Sequence, residues 1–286
     1  MKITMTLILA LILAGTALAA DVKVSEPAVC LDCHADLRTA FDQANVHAAF
    51  EDGTCSSCHN PHATKHAGLL NDDQAALCAE CHGDVADEVA RRVPHVPAGR
   101  GECIMCHDPH ASANPGLVRE PVPGLCAGCH EPVAGWLAKD VVHQPLKRGA
   151  CDACHENHGA ADEGLLASRV PGLCMECHQE NDRMLTAHKG RSFAETDCTA
   201  CHDPHASSLA GLMRENQHKP FASGNCARCH GEDSSTFEVS GGIQDMCLHC
   251  HKTQTAYRRA ENKHIMTTTE SCVACHNPHD PREDVK

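Results

Sequence analysis

The sequence predicts a fold of short α-helices and extensive coil, with little or no β-structure, arranged as an elongated array of small repeats. Three observations indicate this: one cysteine–histidine motif recurs along the 286 residues, helical periodicity is confined to short stretches, and aromatic residues are scarce. Aromatic side chains normally supply much of a core because each can bury roughly 150–250 Å². With only 1 Trp, 1 Tyr and 5 Phe, the chain is expected to wrap around bound apolar groups.

All 22 cysteines occur in Cys-x-x-Cys-His motifs, which we number 1 to 11 in chain order. The cysteines are, in that order, Cys30 and Cys33, Cys55 and Cys58, Cys78 and Cys81, Cys103 and Cys106, Cys126 and Cys129, Cys151 and Cys154, Cys174 and Cys177, Cys198 and Cys201, Cys226 and Cys229, Cys247 and Cys250, and Cys272 and Cys275. The histidines that close the motifs are His34, His59, His82, His107, His130, His155, His178, His202, His230, His251 and His276.

This spacing suits the covalent attachment of haem. Two thiols three residues apart lie on one face of a helical turn and can reach the two vinyl groups of one haem. The adjacent histidine then lies beneath the porphyrin as the proximal axial ligand. Disulfides do not require a histidine after every cysteine pair. Zinc sites combine a pair with a second pair or with spaced histidines, and redox Cys-x-x-Cys sites accompany a βαβ pattern that is absent here. We therefore predict eleven c-type haems.

The motifs recur in pairs. Their first cysteines are alternately 25 and 23 residues apart from motif 1 to motif 7. The unit is C-x-x-C-H, twelve residues, His, seven residues, C-x-x-C-H, two residues, His. We number its copies 1 to 5 in chain order: 30–62, 78–110, 126–158, 174–205 with altered gaps, and 247–279. Motif 9 is left unpaired, and the Ser- and Gly-rich stretch 231–242 after it indicates a loop. A Gly-Leu pair follows four of the units: 68–69, 116–117, 164–165 and 211–212.

Eleven further histidines stand at recurring positions and are candidate distal ligands. They are His47, His62, His95, His110, His143, His158, His188, His205, His218, His264 and His279. The alternative is that some are surface histidines or bind haem propionates. His66 and His249 are left over and are predicted not to bind iron. The last histidine of each unit follows a proximal histidine by three residues, so we expect it to reach a neighbouring haem; which distal histidine serves which haem stays open.

Helical periodicity is clearest at 37–49, 83–93 and 133–142, between the first motif of a unit and its next histidine. The mature chain has about 24 residues for each haem, too few for an independent core in each unit. Neighbouring units are therefore expected to pack through their cofactors, as stacked repeats do.

The first residues predict export. Lys2 precedes an apolar run at 3–14, and Ala17-Leu18-Ala19 ends in the small residues typical of a cleavage site. That run is shorter than the roughly 18 residues needed to span a bilayer, and no later segment is apolar enough. We predict a signal peptide at 1–19, paired repeats with haems 1–8 at 20–215, and an irregular region with haems 9–11 at 216–286. The mature protein is expected in the periplasm, with association with the outer membrane or an extracellular location left open.

The formal charge of −14 argues against a nucleic-acid partner, since phosphates would repel it. Acidity favours redox partners with basic docking patches, for which charge mainly sets the encounter rate. A solvated acidic surface that only maintains solubility is the alternative.

The chain resembles the doubled-CXXCH multihaem cytochromes c. The resemblance rests on the eleven motifs and on C-H-[ND]-P-H tracts at 58–62, 106–110, 201–205 and 275–279, with C-H-E-N-H at 154–158. That group includes decahaem cytochromes that conduct electrons through outer-membrane porins, although motif 9 departs from the decahaem pattern. The resemblance implies a periplasmic or outer-membrane electron-transfer protein of bacterial respiration.

We predict electron transfer through mostly bis-histidine haems, which are low in potential because methionine ligation is what raises it. Expected partners are redox proteins, an outer-membrane porin, or further copies in a filament. The alternative is a multihaem oxidoreductase acting on nitrogen or sulfur oxyanions, with one open haem. Such a site is expected in the irregular region around Cys198, Cys226 and Cys247.

Overall fold

The computed structural model describes residues 25–231, 237, 239, 241–251, 272–274 and 276–280. Its α-helices in this part of the chain, α1 to α13, are Ala28–Leu31, Ala48–Glu51, Gln74–Ala79, Gly83–Val89, Val96–Gly99, Gly124–Ala127, Pro132–Leu137, Gln144–Lys147, Gly172–Met175, Asp182–Ala187, Lys219–Ala222, Ala227–His230 and Ile243–Cys250. The 3₁₀ helices are Ala35–Asp42, Cys55–Ser57, Ala67–Leu69, Cys103–Met105, Pro115–Leu117, Cys151–Ala153, Glu163–Leu165, Cys198–Ala200, Ala210–Leu212 and Cys272–Ala274. The predicted signal peptide lies outside the described residues.

The β-structure consists of two-residue strands that join consecutive units. The strands are β1 (Asn45–Val46), β2 (Val93–Pro94), β3 (Ala111–Ser112), β4 (Val141–Val142), β5 (Gly159–Ala160) and β6 (Ala206–Ser207). They pair antiparallel as β1 with β3, β2 with β5, and β4 with β6. Each pair links a strand inside one unit to the strand that follows the last histidine of the next unit. The predicted fold of short helices and coil with little β-structure is therefore confirmed.

The predicted helices end earlier than the periodicity indicated. The helical segments are Ala35–Asp42, Gly83–Val89 and Pro132–Leu137, after which the chain becomes extended and pairs as β1, β2 and β4. Val46, Val93 and Val142 lie in these strands. β-branched residues favour extended backbone. Pairing with the next unit stabilises the strand further, so the helix ends before it.

The Gly-Leu pairs form tight turns that return the chain to the second motif of each unit. Gly116 has a φ of 67°, a left-handed conformation that glycine adopts without steric cost. The turn brings the Leu117 carbonyl to the Asp108 amide at 2.8 Å, and the same bridge recurs in the other three copies. The Gly116 carbonyl is thereby placed beside the proximal histidine of motif 4.

Few apolar side chains are buried among the described residues. They are Leu31, Ala111, Val133, Leu146, Ala160, Phe193 and Ala206. Three of them are alanines in the strands that join units, where small side chains let two backbones approach closely. This sparse core agrees with the expectation that bound groups fill the interior. No described helix has the length and apolar character needed to cross a membrane.

Candidate haem-binding sites

All eleven motifs fold into the same turn. In each, the amide of the proximal histidine donates to the carbonyl of the first cysteine at 2.9–3.1 Å. This i to i−4 hydrogen bond closes one helical turn, so the histidine lies one turn beyond the first cysteine on the same face. In the units, the first motif begins at the end of an α-helix, whereas the second lies on a 3₁₀ turn. The described part of the chain includes all the motif cysteines except Cys275.

The Gly-Leu turns orient the proximal histidines of the second motifs. The Nδ1 atoms of His59, His107, His155 and His202 lie 2.7–2.8 Å from the carbonyls of Gly68, Gly116, Gly164 and Gly211. A carbonyl oxygen can only accept, so Nδ1 must carry the proton and Nε2 keeps the lone pair that binds iron. The Gly-Leu pairs are visible in the sequence at a fixed distance from the motif. That the glycine carbonyl orients the proximal histidine becomes clear only from the fold.

Nine proximal histidines each face a predicted distal histidine. The ring centroids are 5.7–6.2 Å apart in His47–His82, His59–His110, His95–His130, His107–His158, His143–His178, His155–His205, His188–His202, His218–His251 and His230–His279. Eight of these pairs are near parallel, and His188–His202 is edge-on at 66°.

The distances between the opposed rings fit a haem iron bound by a histidine on each side. Imidazole–metal bonds are about 2 Å long, and two such bonds plus two half-rings of about 1 Å each span about 6 Å. Each opposed pair also includes the proximal histidine of a motif whose two cysteines have the spacing that haem attachment requires. The donor set and the separation therefore both match covalently attached, bis-histidine haem.

The opposed histidines cross from one unit to the next in two directions. We call His110, His158, His205 and His279 the backward histidines, since each faces a motif earlier in the chain. We call His47, His95, His143 and His218 the forward histidines, since each faces a later motif. Every forward histidine donates its amide to a backward histidine's carbonyl at 2.8–3.0 Å. One short strand contact between units thus delivers two distal histidines at once.

The irregular region keeps this arrangement with one difference. His188, at the C-terminal end of α10, faces His202 of its own unit, so motif 8 does not depend on a later unit. His279 then faces motif 9 and His218 faces motif 10. Motif 9 is thus faced by a histidine later in the chain and motif 10 by an earlier one, as motifs 2 and 3 are. The three motifs where an open haem was expected all have an opposed histidine.

The remaining histidines differ. Within the described ranges, neither His34 of motif 1 nor His62 faces another histidine ring, and both side chains are exposed. His264 lies outside the described residues. The His66 Nε2 atom lies 3.7 Å from Asp72 Oδ1, and His249 lies on α13 between two motif cysteines.

Burial favours the neutral form that a metal ligand requires. It is the main cause that lowers the pKa of six forward or backward histidines: His47, His110, His143, His205, His218 and His279. The like charge of the opposed histidine contributes further in the same direction. Because a depressed pKa keeps an imidazole uncharged to lower pH, these side chains are available to iron across the neutral range.

Thiols of successive motifs lie near enough, in chain order, for one to raise the pKa of the other. Within units these neighbours are Cys30 and Cys55, Cys78 and Cys103, Cys126 and Cys151, Cys174 and Cys198, and Cys247 and Cys272. Between motifs 2–3, 4–5, 6–7, 8–9 and 9–10, the neighbouring thiols are Cys58 and Cys81, Cys106 and Cys126, Cys154 and Cys174, Cys201 and Cys226, and Cys229 and Cys247. Burial, followed by these neighbours, raises the pKa of Cys78, Cys174 and Cys201 to about 11.

The doubled CXXCH motif family matches the chain at 47–87, 95–135, 143–183, 191–217 and 218–256, more than half of its length. The chain belongs to this family and is a multihaem c-type cytochrome. Four of the matches begin at a forward histidine and contain the motif that this histidine faces. These matches group motifs 2 with 3, 4 with 5, 6 with 7 and 9 with 10, a frame shifted by one motif from the units numbered above, and motif 8 lies alone in its match. A comparison with curated proteins found no match.

Proposed function

We propose that this cytochrome conducts electrons along eleven haems held in chain order, with the opposed histidines as their axial ligands. Each haem iron, when bound, alternates between ferric and ferrous states and so carries one electron. The chain's own part is to fix the ligands, exclude other molecules from the iron and keep successive attachment sites in contact.

The nine opposed histidine pairs are the observation that carries this proposal. A substrate can bind iron only where an axial position is open, and an opposed imidazole at about 6 Å leaves none. The pairs include motifs 8, 9 and 10, the region in which an open haem would have favoured a reductase. Electron transfer is therefore preferred to reduction of nitrogen or sulfur oxyanions at the haem.

Continuity along the array is supported by the neighbouring thiols. From Cys30 to Cys272, each motif has a thiol near enough to one of the next for their charges to interact, so the proposed attachment points follow one another in chain order. A protein that bound and released substrate at a single haem would not need this arrangement over its whole length. A conductor does.

Motifs 1 and 11 complete the proposed set. Neither His34 of motif 1 nor His62 of the same unit faces another histidine ring in the described part of the chain. We assign His62 to the haem of motif 1 on this basis. His264, the other predicted distal histidine, is assigned to motif 11.

We further infer that the protein is exported and acts in the periplasm or at the outer membrane. The charged and apolar segments before Ala19 support export, and haem-attachment motifs of this kind suit that compartment. The charge of −14 favours redox partners with basic docking patches. Such a row of haems could conduct electrons through a porin or along a filament made of further copies of the chain.

The ligand assignment is tested by opening one haem. His110→Ala should leave haem 2 attached but five-coordinate, giving one high-spin signal in the EPR spectrum of the ferric protein. Adding Cys55→Ala and Cys58→Ala, which remove haem 2, should abolish that signal. His66→Ala is the matched control and should give none. A high-spin signal that persists after haem 2 is removed would mean that His110 serves its own unit instead.

A further inference from the structure

One backward histidine has a different neighbour from the others. The His158 Nδ1 atom lies 2.9 Å from Glu88 Oε2, a carboxylate of the preceding unit. An aromatic ring packs against each of the other three, with centroid distances of 5.0 Å for Phe50 and His110, 4.0 Å for Trp136 and His205, and 4.9 Å for Phe221 and His279. His158 is therefore the backward histidine with a carboxylate within hydrogen-bonding distance of Nδ1. At His110 and His205 the Asp108 and Asp203 carboxylate oxygens lie 3.8 Å from Nδ1, too far for a hydrogen bond.

The sequence around His158 departs from the repeat at matching positions. The tract 154–158 is C-H-E-N-H where the other units have C-H-[ND]-P-H. Phe50 and Phe221 both stand three residues after a forward histidine, and the residue three after His95 is Ala98. Among the described residues, no phenylalanine or tryptophan ring packs against His158, and its neighbour there is Glu88 on α4.

The neighbouring basic side chain, Arg91, does not compete with His158 for Glu88. Arg91, one turn further along the chain, forms an ion pair with Glu156 and donates to the Gly159 carbonyl at 3.3 Å. Its guanidinium is therefore engaged by other acceptors. The side chains of Glu88 and His158 are 38% and 33% exposed, so water moderates their interaction without replacing the direct hydrogen bond.

We propose that Glu88 is a positioning residue that makes haem 4 more reducing than its neighbours. A carboxylate oxygen accepts the Nδ1 proton, which fixes the tautomer with Nε2 toward iron and makes His158 a stronger donor. A more basic axial ligand stabilises ferric over ferrous iron and so lowers the reduction potential. The opposite ligand, His107, donates to a neutral carbonyl at 2.8 Å. The inference rests on the proposed function, since it concerns one haem of the conductor.

The experiment is spectroelectrochemical titration of the holoprotein and of Glu88→Gln. The amide can still accept the hydrogen bond but has lost the charge, so one midpoint potential should rise while the others stay unchanged. The same substitution should change the g values of one low-spin species in the EPR spectrum. Glu163→Gln is the matched control, because Glu163 pairs with Arg92 at 3.0 Å, loses the same charge and should shift nothing.

Haem 4 is identified by removing it. In a Cys103→Ala, Cys106→Ala background, Glu88→Gln should no longer shift any potential. If that background does not fold, the g-value change in the otherwise intact protein remains the test. Unchanged potentials and g values in Glu88→Gln, or an equal shift in Glu163→Gln, overturn this inference alone. A wild-type protein without low-spin bis-histidine haems overturns the proposed function instead.

Discussion

At the scale of single residues, hydrogen bonds to Nδ1 determine which nitrogen of several histidines is left to bind iron. Four proximal histidines donate Nδ1–H to a glycine carbonyl, and His95 and His188 have backbone carbonyls at 2.9 and 2.8 Å from Nδ1. These acceptors hold Nε2 as the coordinating atom before haem is inserted. The glycines of the Gly-Leu pairs are therefore part of the sites, although they touch no iron.

His62 gives a residue-level prediction. His62→Ala should convert one haem from low to high spin, because motif 1 would lose its proposed distal ligand. Spin quantification by EPR of the ferric protein measures this directly. His249→Ala is the control, since His249 lies between the two cysteines of motif 10, is exposed and has no proposed ligand role. An unchanged low-spin count in His62→Ala would contradict the assignment and leave motif 1 with another ligand.

At the scale of elements, the two-residue strands are the part of the fold on which ligation depends. The pair β2–β5 places the His95 amide against the His158 carbonyl at 2.8 Å. A strand this short has too few residues to produce an alternating pattern, which explains why the sequence did not predict it. It exists because the neighbouring unit provides its partner.

Gly159 in β5 tests this dependence. A Cβ there would lie 2.4 Å from the Glu88 carbonyl oxygen, a backbone atom that cannot rotate away. Gly159→Ala should therefore separate units 2 and 3 at a cost of about 1–3 kcal/mol, as overpacking does. The thermal unfolding midpoint of the holoprotein should fall, and haems 4 and 5 should show partial high-spin character.

Gly135 supplies the control for that substitution. It lies within α7, and a Cβ there would meet nothing within 4 Å. Gly135→Ala should be neutral or stabilising by up to about 1 kcal/mol, because alanine is the better helix former. Equal midpoints for the two variants would mean that the β2–β5 contact does not hold the units together.

The sequence predicts the motifs and the class of protein, but it does not predict how the units connect. The motifs, the proximal histidines and the class of protein follow from Cys-x-x-Cys-His chemistry, which is local in the chain. The partner of each distal histidine is not local: His110 and His59 are 51 residues apart in the numbering yet 6.2 Å apart between ring centroids. Only the strand pairing between units determines that register, and it also shows why the Gly-Leu pairs recur.

At the scale of the whole molecule, units 1 to 4 are joined because neighbouring units exchange opposed histidines. At each described strand pair a forward and a backward histidine lie side by side, so two proposed haem sites are built from residues of both units. On the proposed function, haem ligation adds to the few buried side chains in holding the units together. Removing haem should therefore weaken contacts between units as well as empty the sites.

The central claim is that the haems of this row are closed on both sides and so conduct electrons rather than bind substrate. The most direct measurement is EPR of the ferric holoprotein with spins integrated against total haem iron, followed by carbon monoxide addition after reduction. The account predicts eleven haems per chain, all low-spin, with no change in the absorbance spectrum on adding carbon monoxide. High-spin haem together with a carbon monoxide shift from motifs 8 to 10 would contradict it and would favour an enzyme.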